Sequence, residues 1–251
     1  MSTSSFPRRL FAEFLGTALL VTTVVGSGVM ATRLSIVDVG LQLLENSIAT
    51  MLALAVLIVM LAPVSGAHFN PVVSVADWWL GRTSRTGISA RDLAGYLVAQ
   101  CAGGIGGAVL ANLMFDLPAV AWARHERTGT GLWLGEVVAT AGLVLVIFAL
   151  GRAGRGSVIP LAVGAYIGAA YWFTSSTSFA NPAVTLGRAF SDSFAGIAPT
   201  SVPGFVAAQL VGLVVGLAAL SALYPAPRLR PRAKARPVER STVDIGSGGS
   251  P

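Results

Sequence analysis

Six apolar runs, near 10–31, 45–64, 93–115, 132–151, 158–174 and 203–224, alternate with short polar connections along this chain. A hydrocarbon core of roughly 30 Å takes about 20 residues of helix at ~1.5 Å each. Each run therefore predicts a helix long enough, or nearly so, to cross a bilayer. All six contain Gly or other small residues, which let helices approach closely in lipid. The expected fold class is an all-α membrane protein.

The two halves of the chain share one pattern. "AEFLGTALLV" (12–21) resembles "GEVVATAGLV" (135–144), aligning Glu13 with Glu136 and Thr17 with Thr140. "VAQCAGGIGG" (98–107) aligns with "AAQLVGLVVG" (207–216), so that Gln100, Gly103 and Gly107 fall on Gln209, Gly212 and Gly216. Between these pairs lie two shorter stretches, "GAHFNPVVSVADWWL" (66–80) and "SFANPAVTLGRAF" (178–190). Three crossings per half put the half-repeats, about 8–115 and 131–224, in opposite membrane orientations. In such inverted repeats, broken helices at corresponding positions mark the permeation site. The separation of equivalent residues falls from 123 at the Glu pair to 111 at the Asn pair. The first half thus has extra length between its first two spans, expected in a loop near 32–44.

A lone Asn-Pro is a turn signal, but two at matching places carry more. Asn is a strong N-cap, and Pro suits the first helical position, where its missing N–H costs nothing. Residues 71–80 would form a helix of about 15 Å, half the hydrocarbon thickness, and residues 182–190 one slightly shorter. Entering from opposite faces, they would meet near the midplane with their positive ends opposed. Irregular backbone at that depth is tolerated within protein or beside a water-filled cavity. Two Asn amides there could donate to water or a neutral hydroxylated solute, while the half-helix ends oppose cations and proton relay.

Composition agrees with this picture. Charged residues make up 11% of the chain and hydrophobic ones 54%, with a mean hydropathy of +0.73, against about 25% charged in soluble domains. Six spans put both ends on one side. That side carries Arg8, Arg9, Arg82, Arg85, Arg91, Arg152, Arg155 and the basic residues within 228–240, leaving Arg33, Arg124, Arg127 and Arg188 for the other. Basic residues favour the cytoplasmic side, so both termini are expected there, in a multi-pass protein of the bacterial plasma membrane. The tail at 228–251, following a channel domain at 1–227, then serves as a topology signal touching anionic lipid and is expected to be disordered past Ser241. The net charge of +6 needs no nucleic-acid partner. The first run exceeds a signal-peptide core of about 7–15 residues and contains Glu13, so it is expected to be retained. A single cysteine, Cys101, excludes an internal disulfide. Neither a metal site nor a cofactor is expected: the "GGIGG" run lacks the Lys and Ser/Thr of a phosphate loop, and His125 falls in a polar loop.

"SGAHFNPVVS" and "NPAVTLGRAF", with the repeated Glu and Gln, resemble the major intrinsic protein family, the aquaporins and aquaglyceroporins, over about residues 8–224. The resemblance implies an aquaporin-like inverted repeat of six transmembrane helices plus two re-entrant half-helices, with one pore per subunit of a homotetramer. It implies no enzymatic chemistry. Asn70 and Asn181 match the family's pore asparagines, and Pro71 and Pro182 their partners. Val72 stands where Ala is usual, and Ala183 keeps the usual residue. Glu13 and Glu136, as intramembrane acids, could be proton relays; the resemblance instead makes them acceptors for loop backbone. Gln100 and Gln209 would be further polar anchors, and His68 would lie beside the cytoplasmic vestibule. Trp78 and Trp79 would pack or anchor at the interface.

Water-selective members carry Arg where this chain has Val184. Arg188 lies one helical turn onward, where it would not easily substitute for that residue. Aligned by spacing, the other constriction positions are Thr50, Tyr171 (with Ala169 or Ala170 as alternatives) and Ser178. This set is wider and less polar than a water filter. The expected permeants are small neutral solutes, including glycerol and urea, and neutral trivalent arsenicals such as arsenite or methylarsenite. The arsenical expectation comes from resemblance to an arsenic-resistance-associated subgroup with Val at this filter position. A water-selective channel and a proton-coupled transporter using Glu13 and Glu136 are the alternatives.

Overall fold

The computed structural model describes residues 4–84 and 86–224. Arg85 and the expected tail at 228–251 lie outside the described residues. Among the described residues eight α-helices follow in order: α1 (Phe6–Leu34), α2 (Val39–Ser65), α3 (Pro71–Ser84), α4 (Ala90–Met114), α5 (Thr130–Arg152), α6 (Ile159–Phe173), α7 (Pro182–Arg188) and α8 (Val202–Leu223). Short 3-10 turns lead into α6 and α8, and among the described residues six helical units are long and apolar enough to cross a bilayer.

Local chemistry sets the boundaries. Asp38 caps α2 by accepting from the Leu41 N–H at 2.9 Å, and Ser89 with Asp92 forms a reciprocal capping box on α4, satisfying N–H groups that a helix start leaves unpaired. The Asp38 cap also explains a departure from expectation. The extra length of the first half is helical, not a loop. Residues 35–38 alone join α1 to α2, and α2 has 27 residues where its counterpart α6 has 15.

α1 packs on α2 and α4, α5 on α6 and α8, and α2 on α6 across the two halves. The QxxGxxxG pattern has a direct physical cause. A Cβ at Gly103 or Gly107 would overlap the Phe14 and Ala18 carbonyl oxygens of α1. One at Gly212 or Gly216 would lie 2.7 Å from the Val137 and Ala141 oxygens of α5. Only glycine permits these backbones to touch. The two short helices cross between repeats: α7 lies chiefly against α4, α3 reaches α5 and α8, and α3 meets α7.

Candidate functional site

The Asn-Pro segments form the centre of the molecule. Asn70 Oδ1 accepts from the Val72 N–H at 2.9 Å, and Asn181 Oδ1 accepts from Ala183 at 3.0 Å and Val184 at 3.2 Å. Both asparagines are therefore N-caps, followed by Pro71 and Pro182 at the first helical position. Their amides reach across the repeat. Asn70 Nδ2 donates to the Ala180 carbonyl and Asn181 Nδ2 to the Phe69 carbonyl, each at 2.8 Å. A side-chain amide has two N–H donors, so each Asn retains one for the cavity that both of them line. α3 extends four residues beyond the expected 80, to 84, whereas α7 ends at Arg188 rather than 190 as the chain turns through Ala189 and Phe190. Val72 is fully buried and packs with Ala76, Val144 and Leu213 behind the cavity.

The segments entering these caps are unusual. Ala67, Phe69, Ser178 and Ala180 all take positive φ, between 47° and 53°, which costs roughly 1–3 kcal/mol per non-Gly residue. They pair between repeats, Ala67 with Ser178 and Phe69 with Ala180. The two glutamates hold them there. Glu13 accepts from the His68 N–H at 3.0 Å and the Phe69 N–H at 2.7 Å; Glu136 accepts from Phe179 at 2.8 Å and Ala180 at 2.9 Å. Gln100 Nε2 donates to Glu13 at 2.8 Å and Ser74 at 2.9 Å, and Gln209 Nε2 to Glu136 at 2.6 Å and Thr185 at 2.8 Å. Both carboxylates are 0% exposed, and neither lines the cavity. Their oxygens are taken up by backbone and side-chain donors of the entering segments, as expected of structural supports.

The cavity has a volume of about 370 Å³. It extends from His68 and Asp77 on the α3 side, past Asn70 and Asn181, to Arg188 on the α7 side. One wall is aliphatic, including Leu20, Leu54, Ile58, Val163 and Ile167. Thr50, Tyr171, Ser178 and Val184 all line it. Thr50 and Tyr171 place their hydroxyls 3.2 Å apart, and the Ser178 hydroxyl is buried with no partner among the described residues. Of the alternatives on α6, Ala170 is wholly buried, and neither it nor Ala169 lines the cavity. His68 Nδ1 lies 3.1 Å from the Ser74 hydroxyl. Trp78 and Trp79 both stack with Arg82, and Trp79 is exposed at the end of α3.

Arg188, one helical turn beyond Val184, borders the same cavity. It is 2% exposed, lines the cavity, and donates Nε to the Ala195 carbonyl. Its guanidinium carbon lies 3.4 Å from the Phe179 ring centroid, and that of Arg127 lies 5.1 Å from the same ring. Arg127, on the α4–α5 connection, donates to the Gly196 and Phe194 carbonyls at 2.9 and 3.3 Å. Burial pushes Arg127 down to about 10, so it remains charged at neutral pH. His125 nearby is held below its usual value by burial and by the charges of Arg127 and Arg188.

Sequence reasoning missed Arg188, Arg127, Ser74 and Thr185 as members of this arrangement. The last two had a readable signal, a hydroxyl four residues after each Asn in "NPVVS" and "NPAVT". Ser65 is another omission: its hydroxyl donates to Glu13 at 2.6 Å and accepts from the Ala67 N–H at 3.1 Å.

Comparison with known proteins bears on most of the chain. Residues 1–180 match the family described as Major intrinsic protein. The chain is 52% identical over 235 residues to the Aquaglyceroporin AqpS of Rhizobium meliloti (strain 1021), covering 94% of each. It is 32% identical over 233 residues to the Glycerol uptake facilitator protein of Pseudomonas aeruginosa, covering 80% of each. Its fold resembles the X-ray structure of the aquaglyceroporin from Plasmodium falciparum, with a TM-score of 0.64 at 23% identity over 87% of this chain and 97% of that one. The family match spans well over half the sequence, and the helical architecture agrees with it: this multi-pass membrane protein belongs to the major intrinsic protein family.

Proposed function

We propose that this protein is a passive transmembrane channel for small uncharged solutes. The observation that carries the reading is the pair of capping asparagines, Asn70 and Asn181, facing one cavity while their carbonyl oxygens and one N–H each are held by the protein. A permeant hydroxyl or water can accept the remaining donor without any group having to reorganise. The chemistry is hydrogen-bond exchange, with no covalent step. The opposed helix starts disfavour cations at the same point.

The narrow region is assigned to Thr50, Tyr171, Ser178 and Val184. Three hydroxyls beside one apolar side chain suit a small polyol, whose carbon backbone meets Val184 while its hydroxyls meet the others. Two relatives named an aquaglyceroporin and a glycerol uptake facilitator support glycerol as a permeant. Arsenite and methylarsenite, as neutral hydroxylated species, fit the same chemistry. The excess of basic residues on the side of the termini supports a cytoplasmic placement of both ends in the plasma membrane, and the family resemblance supports a homotetramer.

Uptake of glycerol and of arsenite into proteoliposomes, with and without an imposed pH gradient, tests this reading. A channel brings internal solute to the external concentration and no higher under either condition. Accumulation above it in response to the pH gradient would identify a coupled transporter, and absence of uptake beside rapid osmotic shrinkage would identify a water channel.

A further inference from the structure

We propose that Arg188 is a second cation-excluding element of this pore, added to the opposed helix starts and placed one helical turn outward from the Val184 position. This rests on the channel reading above. Four residues along a helix correspond to about 6 Å, so Arg188 stands beyond Val184 as seen from Asn181. It lines the same cavity as Val184, Tyr171 and Ser178.

The surroundings hold the guanidinium while leaving its charge unneutralised. Among the described residues its hydrogen bond is to the Ala195 carbonyl, and no carboxylate lies within salt-bridge distance. Arg124 differs: it stands exposed, 3.6 Å from the Asp192 carboxylate. Arg188 instead stacks on Phe179, and Arg127 approaches the same ring. An aromatic face and backbone carbonyls attract a cation without cancelling its field. A buried, unpaired charge is costly to a fold, so a merely structural role would be better served by an uncharged side chain. Retaining an unpaired guanidinium on the cavity wall, with that of Arg127 near the same Phe179 ring, has a clear electrostatic consequence. Monovalent cations and hydronium are repelled there, while a neutral solute meets guanidinium donors before reaching the apolar Val184. Selection by charge and selection by shape are thereby separated along the path.

The test compares wild type with Arg188→Gln, Arg188→Met and Arg188→Lys in proteoliposomes. Glycerol entry is followed by light scattering, and proton leak by an internal pH dye under a potassium diffusion potential. Wild type and the Lys variant are expected to pass glycerol and leak no more than lipid alone. At least one neutral variant is expected to admit glycerol with its ratio of proton leak to glycerol entry raised at least about tenfold over wild type, a change equivalent to ~1.4 kcal/mol. Met keeps favourable contact with the Phe179 ring and covers the case in which Gln does not assemble. Neutral variants that pass glycerol and stay tight would overturn the proposal. So would failure of both to assemble while Lys assembles, since Arg188 would then be structural, or a leaking Lys variant. A wild-type protein that passes no glycerol would instead sink the channel reading itself.

Discussion

Thr50 on α2 and Tyr171 on α6 place their hydroxyls 3.2 Å apart, although 121 positions separate them in sequence. The contact joins opposite half-repeats on the wall of the cavity, and each residue is 3% exposed. It braces the Tyr171 hydroxyl on the wall of that cavity. Thr50→Val keeps the shape of the side chain and leaves the tyrosine hydroxyl without that partner. The expected cost is about 1–3 kcal/mol, read as a lower unfolding temperature in detergent. Glycerol flux should lose selectivity against larger polyols. An unchanged unfolding temperature together with unchanged selectivity would show that the contact holds nothing in place.

Val184→Arg should restrict the cavity from the α7 side. Entry of glycerol-sized solutes is expected to fall about tenfold or more, equivalent to ~1.4 kcal/mol of added barrier, with water flux reduced much less. Equal losses of both, or no change in either, would mean that position 184 does not line the narrow region.

Glu13→Gln and Glu136→Gln should each destabilise the fold. Each carboxylate accepts from two backbone N–H groups and one Gln amide, and Glu13 also from the Ser65 hydroxyl; charge-assisted bonds of this kind contribute about 1.5–3 kcal/mol each. Replacing one acceptor oxygen by an NH₂ group sets donor against donor. Thermal unfolding should drop sharply for both variants. A well-folded Gln variant that lost only a pH-coupled activity would favour the transporter alternative.

Gly107→Ala should destabilise α1–α4 packing by about 1–3 kcal/mol, because the new Cβ overlaps the Ala18 carbonyl. Gly151→Ala is the control. It lies in α5 with nothing within 4 Å of an added Cβ, so the better helix former should be neutral or stabilising by up to about 1 kcal/mol. Thermal melts of the two variants side by side check both statements.

Much of this arrangement could be read from the sequence because it is written twice. Asn70 and Asn181, Glu13 and Glu136, and Gln100 and Gln209 each occur at matching places, and doubling turns a weak local signal into a specific one. Features without a partner in the other half were less legible. Four positions beyond Val184, Arg188 falls on the next turn and reads as a poor substitute for a filter Arg, yet α7 is only seven residues long and its end still borders the cavity. Arg127 reaches Phe179 through a loop whose path depends on backbone bonds such as Ala121 to Phe190 and Ala123 to Ala189, which no side chain advertises. The same holds for the positive φ of Ala67, Phe69 and Ala180. These residue types do not favour that conformation; it is held by the buried glutamates at Phe69 and Ala180 and by Ser65 at Ala67. Spacing alone reads the extra length near 32–44 as a loop; the Asp38 cap turns it into the start of α2.

The central claim is that neutral solutes pass the two capping asparagines through one uncoupled pore. Stopped-flow light scattering of proteoliposomes placed in hyperosmotic glycerol tests it most directly. The account predicts rapid shrinkage followed by re-swelling several times faster than in protein-free vesicles. Re-swelling no faster than in bare lipid would contradict it.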